Sequence, residues 1–146
     1  MKYSIAGKET MAYNKVDRVS VGDMEGHLVS LLVGEGINVS TGNDTFGDGA
    51  QISVIVTSDL VNFKGPFQAY SIMTKKGESV FSKAEGKIAP THTAEGNAYL
   101  IMEGTITLYK GTGQYENIQG NGTFKGRFLS SILYTLDWES EYWIEK

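Results

Sequence analysis

Among its 146 residues the chain has no cysteine, only two prolines and only two histidines. Without cysteine there can be no disulfide scaffold, no thiolate-bound zinc, no iron–sulfur cluster and no thiol nucleophile. Long apolar runs are absent too. The longest, such as Leu28-Val29-Ser30-Leu31-Leu32-Val33, is about strand length and far short of the roughly 20 residues a membrane span requires. The N-terminal stretch is interrupted by Lys8 and Glu9 before any signal-like apolar core can build, so no export signal is visible and a cytoplasmic location is the expectation, with a mature secreted chain as the alternative that would look the same. Positive charge is sparse: 13 basic residues stand against 17 acidic ones, for a net charge of −4, and they are scattered rather than striped. Binding driven by neutralising nucleic-acid phosphates is not expected from that balance.

The rare residues also limit the chemistry. His27 and His92 lie far apart in sequence with no clustered carboxylates, which argues against a transition-metal site. Asn43, Asp44 and Asp48 lack the alternation and terminal Glu of an EF-hand loop, so they read as a polar loop. No nucleophile elbow, phosphate loop or zinc-protease helix occurs, and no cofactor is implied.

Glycine, by contrast, is abundant: 18 residues, dispersed along the chain. Apolar residues alternate with period two from end to end, and helical spacing is almost absent. This predicts strands near 2–12, 15–21, 27–35, 50–58, 67–75, 78–87, 97–110, 121–130 and 131–144, a long irregular loop over 36–49, and one helical turn near 114–118. Lys75-Lys76-Gly77-Glu78 is a hairpin candidate and Gly22–Gly26 a tight turn. Many strands with no helix to cover them favour closure into a barrel or stacking into a sandwich, and the barrel is preferred because an apolar terminal strand left as a bare edge invites aggregation. The expected architecture is one all-β domain over 1–146, a small closed antiparallel β-barrel of about eight strands with little helix.

Strand parity supplies the candidate site. Over 98–109, Ala98, Leu100, Met102, Gly104, Ile106 and Leu108 share one face, while Tyr99, Ile101, Glu103, Thr105, Thr107 and Tyr109 share the other. If the second face lined a barrel interior, Glu103 would be a carboxylate in an aromatic cavity, suited to proton transfer; if it faced outward, Glu103 would be solvated. His27 could act as a general base at a barrel mouth or serve as a hydrogen-bonded structural residue. Glu85 shares a face with Phe81 and Lys83, and pairing with that lysine is the plain alternative to a ligand-binding role. Tyr70, Tyr99, Tyr134, Trp138 and Tyr142 are candidate pocket walls, with ordinary core packing as the alternative.

The run Gly111-Thr112-Gly113-Gln114-Tyr115-Glu116-Asn117-Ile118-Gln119-Gly120-Asn121-Gly122 has closely spaced glycines after a strand. A dinucleotide site would need a helix there, so the glycines are expected to take positive φ at both ends of a connection between strands. This pattern resembles the glycine-rich signature of the allene oxide cyclase and dirigent barrels. It is still more similar to an uncharacterised bacterial group of such barrels, in which Gly26-His27, the loop Asp44 to Gly49, Tyr70 and an acidic-aromatic end like Asp137 to Trp143 have counterparts. The likeness spans roughly the last 120 residues. It implies an allene oxide cyclase-like, calycin-like barrel and a homo-oligomer, dimer or trimer, formed through barrel walls. It transfers no catalytic residue.

Three functions follow as expectations. The first is binding of a small hydrophobic organic molecule in an aromatic-lined cavity. The second is a cofactor-free cyclase or isomerase using a cavity carboxylate. The third is a structural or interaction protein whose barrel is filled by side chains.

Overall fold

In the computed structural model, which describes residues 1–146, the period-two pattern becomes eight strands. They are β1 (Tyr3–Ser20), β2 (His27–Ser40), β3 (Gln51–Val61), β4 (Gly65–Lys75), β5 (Glu78–His92), β6 (Ala98–Gly111), β7 (Ile118–Phe128) and β8 (Leu133–Ile144). Each pairs antiparallel with its chain neighbours, and β8 closes onto β1, so the barrel has no free edge. The one helical element is a 3₁₀ turn at Gly113–Tyr115, and no helix is long and apolar enough to cross a membrane. At the expected β4–β5 hairpin, Lys76 and Gly77 have φ of 52° and 79°, the signs a primed turn needs to match strand twist.

Three segments differ from the sequence reading. The two strands expected over 2–21 are one, because an irregularity between Tyr13 and Lys15 shifts the register to β2 without ending the pairing. The loop expected from Gly36 begins only at Thr41. β2 continues through Gly36 and Asn38, which both face inward: a side chain at Gly36 would strike the Thr10 carbonyl and Met11, and Asn38 is buried in the room that Gly7 leaves. In the glycine-rich run, positive φ falls on Gly113 (59°) and on Asn117 (66°) rather than on the flanking glycines. Gly120 and Gly122 lie within β7, where any Cβ would run into the carbonyls of Glu141 and Glu139 on β8.

That close approach shows how the sheet curls. The inward-facing pair Gly86 and Gly104 sit opposite each other on β5 and β6, and the Phe124 ring of β7 lies over the space they leave. Glycines that let strands bend inward, filled by an aromatic from the next strand, close a small barrel without a void at the bend. Traced through the pairing register, Tyr13 leads to Gly34, Val54, Ser71, Ser82, Leu108, Gly120, Tyr142 and back to Tyr3, ten residues along β1 from the start. Such stagger requires strongly tilted strands and gives an eight-stranded barrel an interior filled by side chains or holding one small molecule.

The outer surface is two-sided. Across β5, β6, β7, β8 and β1, the register sets Lys87, Glu103, Lys125, Asp137 and Lys8 side by side, a ladder of alternating charge. On the opposite wall, Val29, Leu31, Ile55, Tyr70 and Ile72 of β2 to β4 are exposed.

Candidate functional site

The barrel interior is read from strand phase. Inward positions are odd in the first part of β1 (Ile5, Gly7, Glu9, Met11, Tyr13) and in β4, and even in β2, β3 and β5 to β8. They surround a central cavity of about 80 Å³ lined by 26 residues, of which 23 are hydrophobic; the other three are Glu9, Ser71 and Ser82. The Ser71 and Ser82 hydroxyls bond each other at 2.6 Å across β4 and β5. Because a full circuit of the register advances ten residues, the height of Glu9 is met on the far wall near these two serines.

Glu9 is the distinctive group. Its register partners are Asn38 on β2 and Leu136 on β8, which makes Tyr134 and Trp138 its diagonal neighbours, within reach of large side chains. Its carboxylate forms no ion pair. It retains some surface toward the void, yet the surrounding protein pushes its carboxyl up to about 7 by removing water from the charged form. Tyr134 packs against Tyr13 with ring centroids 5.3 Å apart and against Phe128 at 5.5 Å. Burial holds the Tyr134 hydroxyl far above its usual range, and its closeness to Tyr13 and to the Glu9 carboxyl disfavours a further negative charge there. An acid that titrates near neutrality beside two phenols that stay protonated can donate or accept a proton, or bind a polar group, inside an apolar chamber.

One end of the chamber is closed by loop 41–50. Asn38, fully buried, donates to the Gly47 carbonyl at 2.7 Å and accepts from Trp138 Nε1 at 2.8 Å. Gly7 on β1 leaves the room that the Asn38 side chain occupies. Within the loop, Asp44 accepts from the Gly47 amide at 3.1 Å and Asp48 from the Ser40 amide at 3.2 Å, so these acids brace a turn. The loop thereby inserts Phe46 against Tyr115, centroids 4.4 Å apart.

Of the eight residues singled out from sequence, Tyr134, Trp138 and Tyr142 line the cavity. The other five do not. Glu103 is exposed in the charge ladder, because β6 turns its aliphatic phase inward: Met102 and Leu108 are buried, and Gly104 abuts the β5 backbone. Tyr99, on the same outer face, lies under the Arg127 guanidinium at 4.9 Å. Glu85 also points outward and pairs with Lys83 at 3.4 Å, and Lys83 in turn lies 5.8 Å from the exposed Tyr70 ring. His27 sits at the end of the barrel away from loop 41–50, between Asp23 (Nδ1 to Oδ1, 2.6 Å) and Asp59 (Nε2 to Oδ1, 2.5 Å). The bonds to Asp23 and then Asp59 raise its pKa, favouring an imidazolium that ties the β1–β2 turn to β3.

Sequence reasoning passed over Glu9, although a signal existed: it is the only charged residue in the phase Ile5, Gly7, Glu9, Met11, Tyr13. Asn38 and Phe46 went unseen because they fall in the stretch read as a polar loop. Comparison of the chain with protein-family models and with curated proteins finds no match.

Proposed function

We propose that this chain is a small-molecule-binding β-barrel whose interior takes one compact, largely apolar organic molecule, with Glu9 as its polar anchor. The observation that carries this reading is a lone carboxyl group facing an otherwise apolar and aromatic chamber. Apolar walls with a few converging polar groups are the usual composition of a ligand site. A cavity of about 80 Å³ lies well below the several hundred Å³ of drug-sized pockets, so the ligand is only a few heavy atoms across. Entry is by displacement of Phe46 and its loop, which with the Tyr115 turn it packs against forms the part of the chamber wall that is not strand.

Native mass spectrometry of freshly purified protein tests the reading, with Ala69→Leu as the control that fills the chamber. A small adduct retained by wild type and lost from the filled variant is expected. Absence of any adduct, together with failure to take up compact alcohols or hydrocarbons added in solution, would overturn it.

The titration of Glu9 near neutrality favours a second reading, a cofactor-free isomerase or cyclase similar in its chemistry to the allene oxide cyclases. The chamber would hold a substrate in a reactive conformer while Glu9 transfers a proton or steadies developing charge. Any ligand identified by mass spectrometry that returns chemically altered in the wild type but unaltered in Glu9→Gln would select this reading over simple binding.

A further inference from the structure

We propose that the molecule accepted by the chamber is a small organic amine, bound as its ammonium ion against Glu9 with its apolar body among the aliphatic and aromatic side chains of the wall. The inference rests on the binding reading above and assigns the ligand its charge.

Some of the interior polar groups already have partners. Ser71 and Ser82 bond each other, and Trp138 bonds Asn38, which also bonds Gly47. Glu9 faces the void without a side-chain hydrogen bond or ion pair, and it is the one carboxylic acid on the wall, the remaining polar groups there being tyrosine hydroxyls. No lysine, arginine or histidine lines the chamber. A buried carboxylate needs a counter-charge with hydrogen-bond donors, and here only a bound molecule can bring one. The neighbourhood also suits a cation. Tyr134 and Trp138 are the diagonal neighbours of Glu9, and Tyr13 packs against Tyr134, so aromatic rings stand beside the position an ammonium would take. An anionic ligand would meet repulsion and no donor of positive charge.

Proton balance follows simply. The empty chamber holds Glu9 partly protonated at neutral pH. An ammonium ion entering it restores the carboxylate, and the carboxyl proton leaves to solvent. Amine affinity therefore rises with pH until Glu9 is fully ionised, then levels until the amine itself loses its charge.

Three branched four-carbon probes of nearly one shape separate the possibilities: isobutylamine, isobutanol and isobutyrate, titrated by calorimetry and by chemical-shift perturbation. The expected result at pH 8 is amine affinity at least tenfold above that of the alcohol, with no binding of isobutyrate. On lowering the pH to 6 the amine loses most of that advantage. In Glu9→Gln, amine and alcohol bind within about threefold of each other. The alcohol equalling or exceeding the amine in wild type at pH 8 overturns the cationic ligand and leaves the binding reading standing. If none of the three binds, both fall. The wild-type pH series decides the matter even if Glu9→Gln does not fold, since an amine preference that does not change from pH 8 to 6 also refutes Glu9 as its counter-ion.

Discussion

Replacing Glu9 by Gln removes one ionisable group from the barrel wall while keeping its shape, and the effect on stability can be worked out with its sign. Unfolded, Glu9 titrates near 4.5; folded, near 7. Between those values the folded chain binds more protons than the unfolded one, so this group's contribution is fully present below pH 4.5 and is lost as pH rises toward 7. A displacement of that size corresponds to ~3 kcal/mol, reduced to ~2–3 kcal/mol because part of the carboxylate faces the void, where water can enter. Urea denaturation of ligand-free protein at intervals from pH 4.5 to 8 measures it. The difference in stability, Glu9→Gln minus wild type, should climb by that amount across the window and stay flat above it. With a denaturant slope of about 1–3 kcal/mol/M, the midpoints of the two proteins should diverge by on the order of 1–2 M at pH 8. Other carboxylates act equally in both proteins and cancel in the difference. A flat difference would mean that Glu9 is solvated and the chamber is wet. A difference that falls with pH would mean the carboxylate has a cationic partner in the folded chain, which would remove the basis for an amine ligand as well.

His27 has a folded pKa above 6.5, raised by Asp23 and Asp59, so its stabilisation is complete below pH 6.5 and disappears as pH rises through the folded value; His27→Gln should abolish that loss, and imidazole proton shifts followed by NMR should give the raised pKa directly. Gly104→Ala forces a Cβ into the Glu85 carbonyl and the Gly86 backbone, and should cost about 1–3 kcal/mol by thermal or urea melting; an unchanged protein would show that β5 and β6 are not pressed together there. Asn38→Leu leaves Trp138 Nε1 and the Gly47 carbonyl without their partner, so it should cost about 1–3 kcal/mol or more and make loop 41–50 the first site of limited proteolysis. Were the chain a homo-oligomer, exposed Ile55 and Ile72 would offer it an apolar wall, and the double change to Lys should then yield monomer in analytical ultracentrifugation; a wild type that already sediments as monomer excludes that association.

How much of this was legible in the sequence depended on which interaction set each position. The barrel was readable because alternation is imposed by a sheet with one wet and one dry face, and the absence of helical periodicity left closure as the way to protect the edges. Phase within a strand was readable where the two faces differ in bulk, and β8 is the example: Tyr134, Leu136, Trp138 and Tyr142 line the interior as their parity implies. On β6 the phase of Leu100, Met102, Ile106 and Leu108 is aliphatic and the opposite one amphipathic, yet Tyr99, Ile101 and Tyr109 beside Glu103 gave the second phase enough apolar bulk to resemble a cavity wall. The choice was made by Gly104, whose missing Cβ fits against β5, and by the opposite charges that the register places beside Glu103. Neither is visible until strand partners are known. The glycines at 120 and 122 present the same problem: a close backbone approach between β7 and β8 requires glycine just as a positive φ does, and the sequence does not distinguish the two demands.

Glu9 and Glu103 together show why carboxylates in strands need their neighbours on both sides before a role is assigned. Glu103 had aromatic residues on its own face, Tyr99 and Tyr109, and looked like the acid of a cavity; across the sheet it has Lys87 and Lys125, and its surroundings are water and charge. Glu9 stands between Lys8 and Thr10 and looks like surface; across the sheet it has Asn38 and Leu136, with Tyr134 and Trp138 beyond, and its surroundings are apolar. Flanking residues along a strand lie on the opposite face, so they report the solvent that the carboxylate does not see. In the same phase, two residues away, the comparison reverses: Gly7 and Met11 are both buried and bracket Glu9 on its own face. Glu35 likewise stands between Val33 and Ile37 in its own phase and is exposed all the same, so it is the cross-strand partners that leave Glu9 as the one acid on the chamber wall, and the chemistry of this barrel depends on whether the proton at Glu9 is exchanged for a ligand.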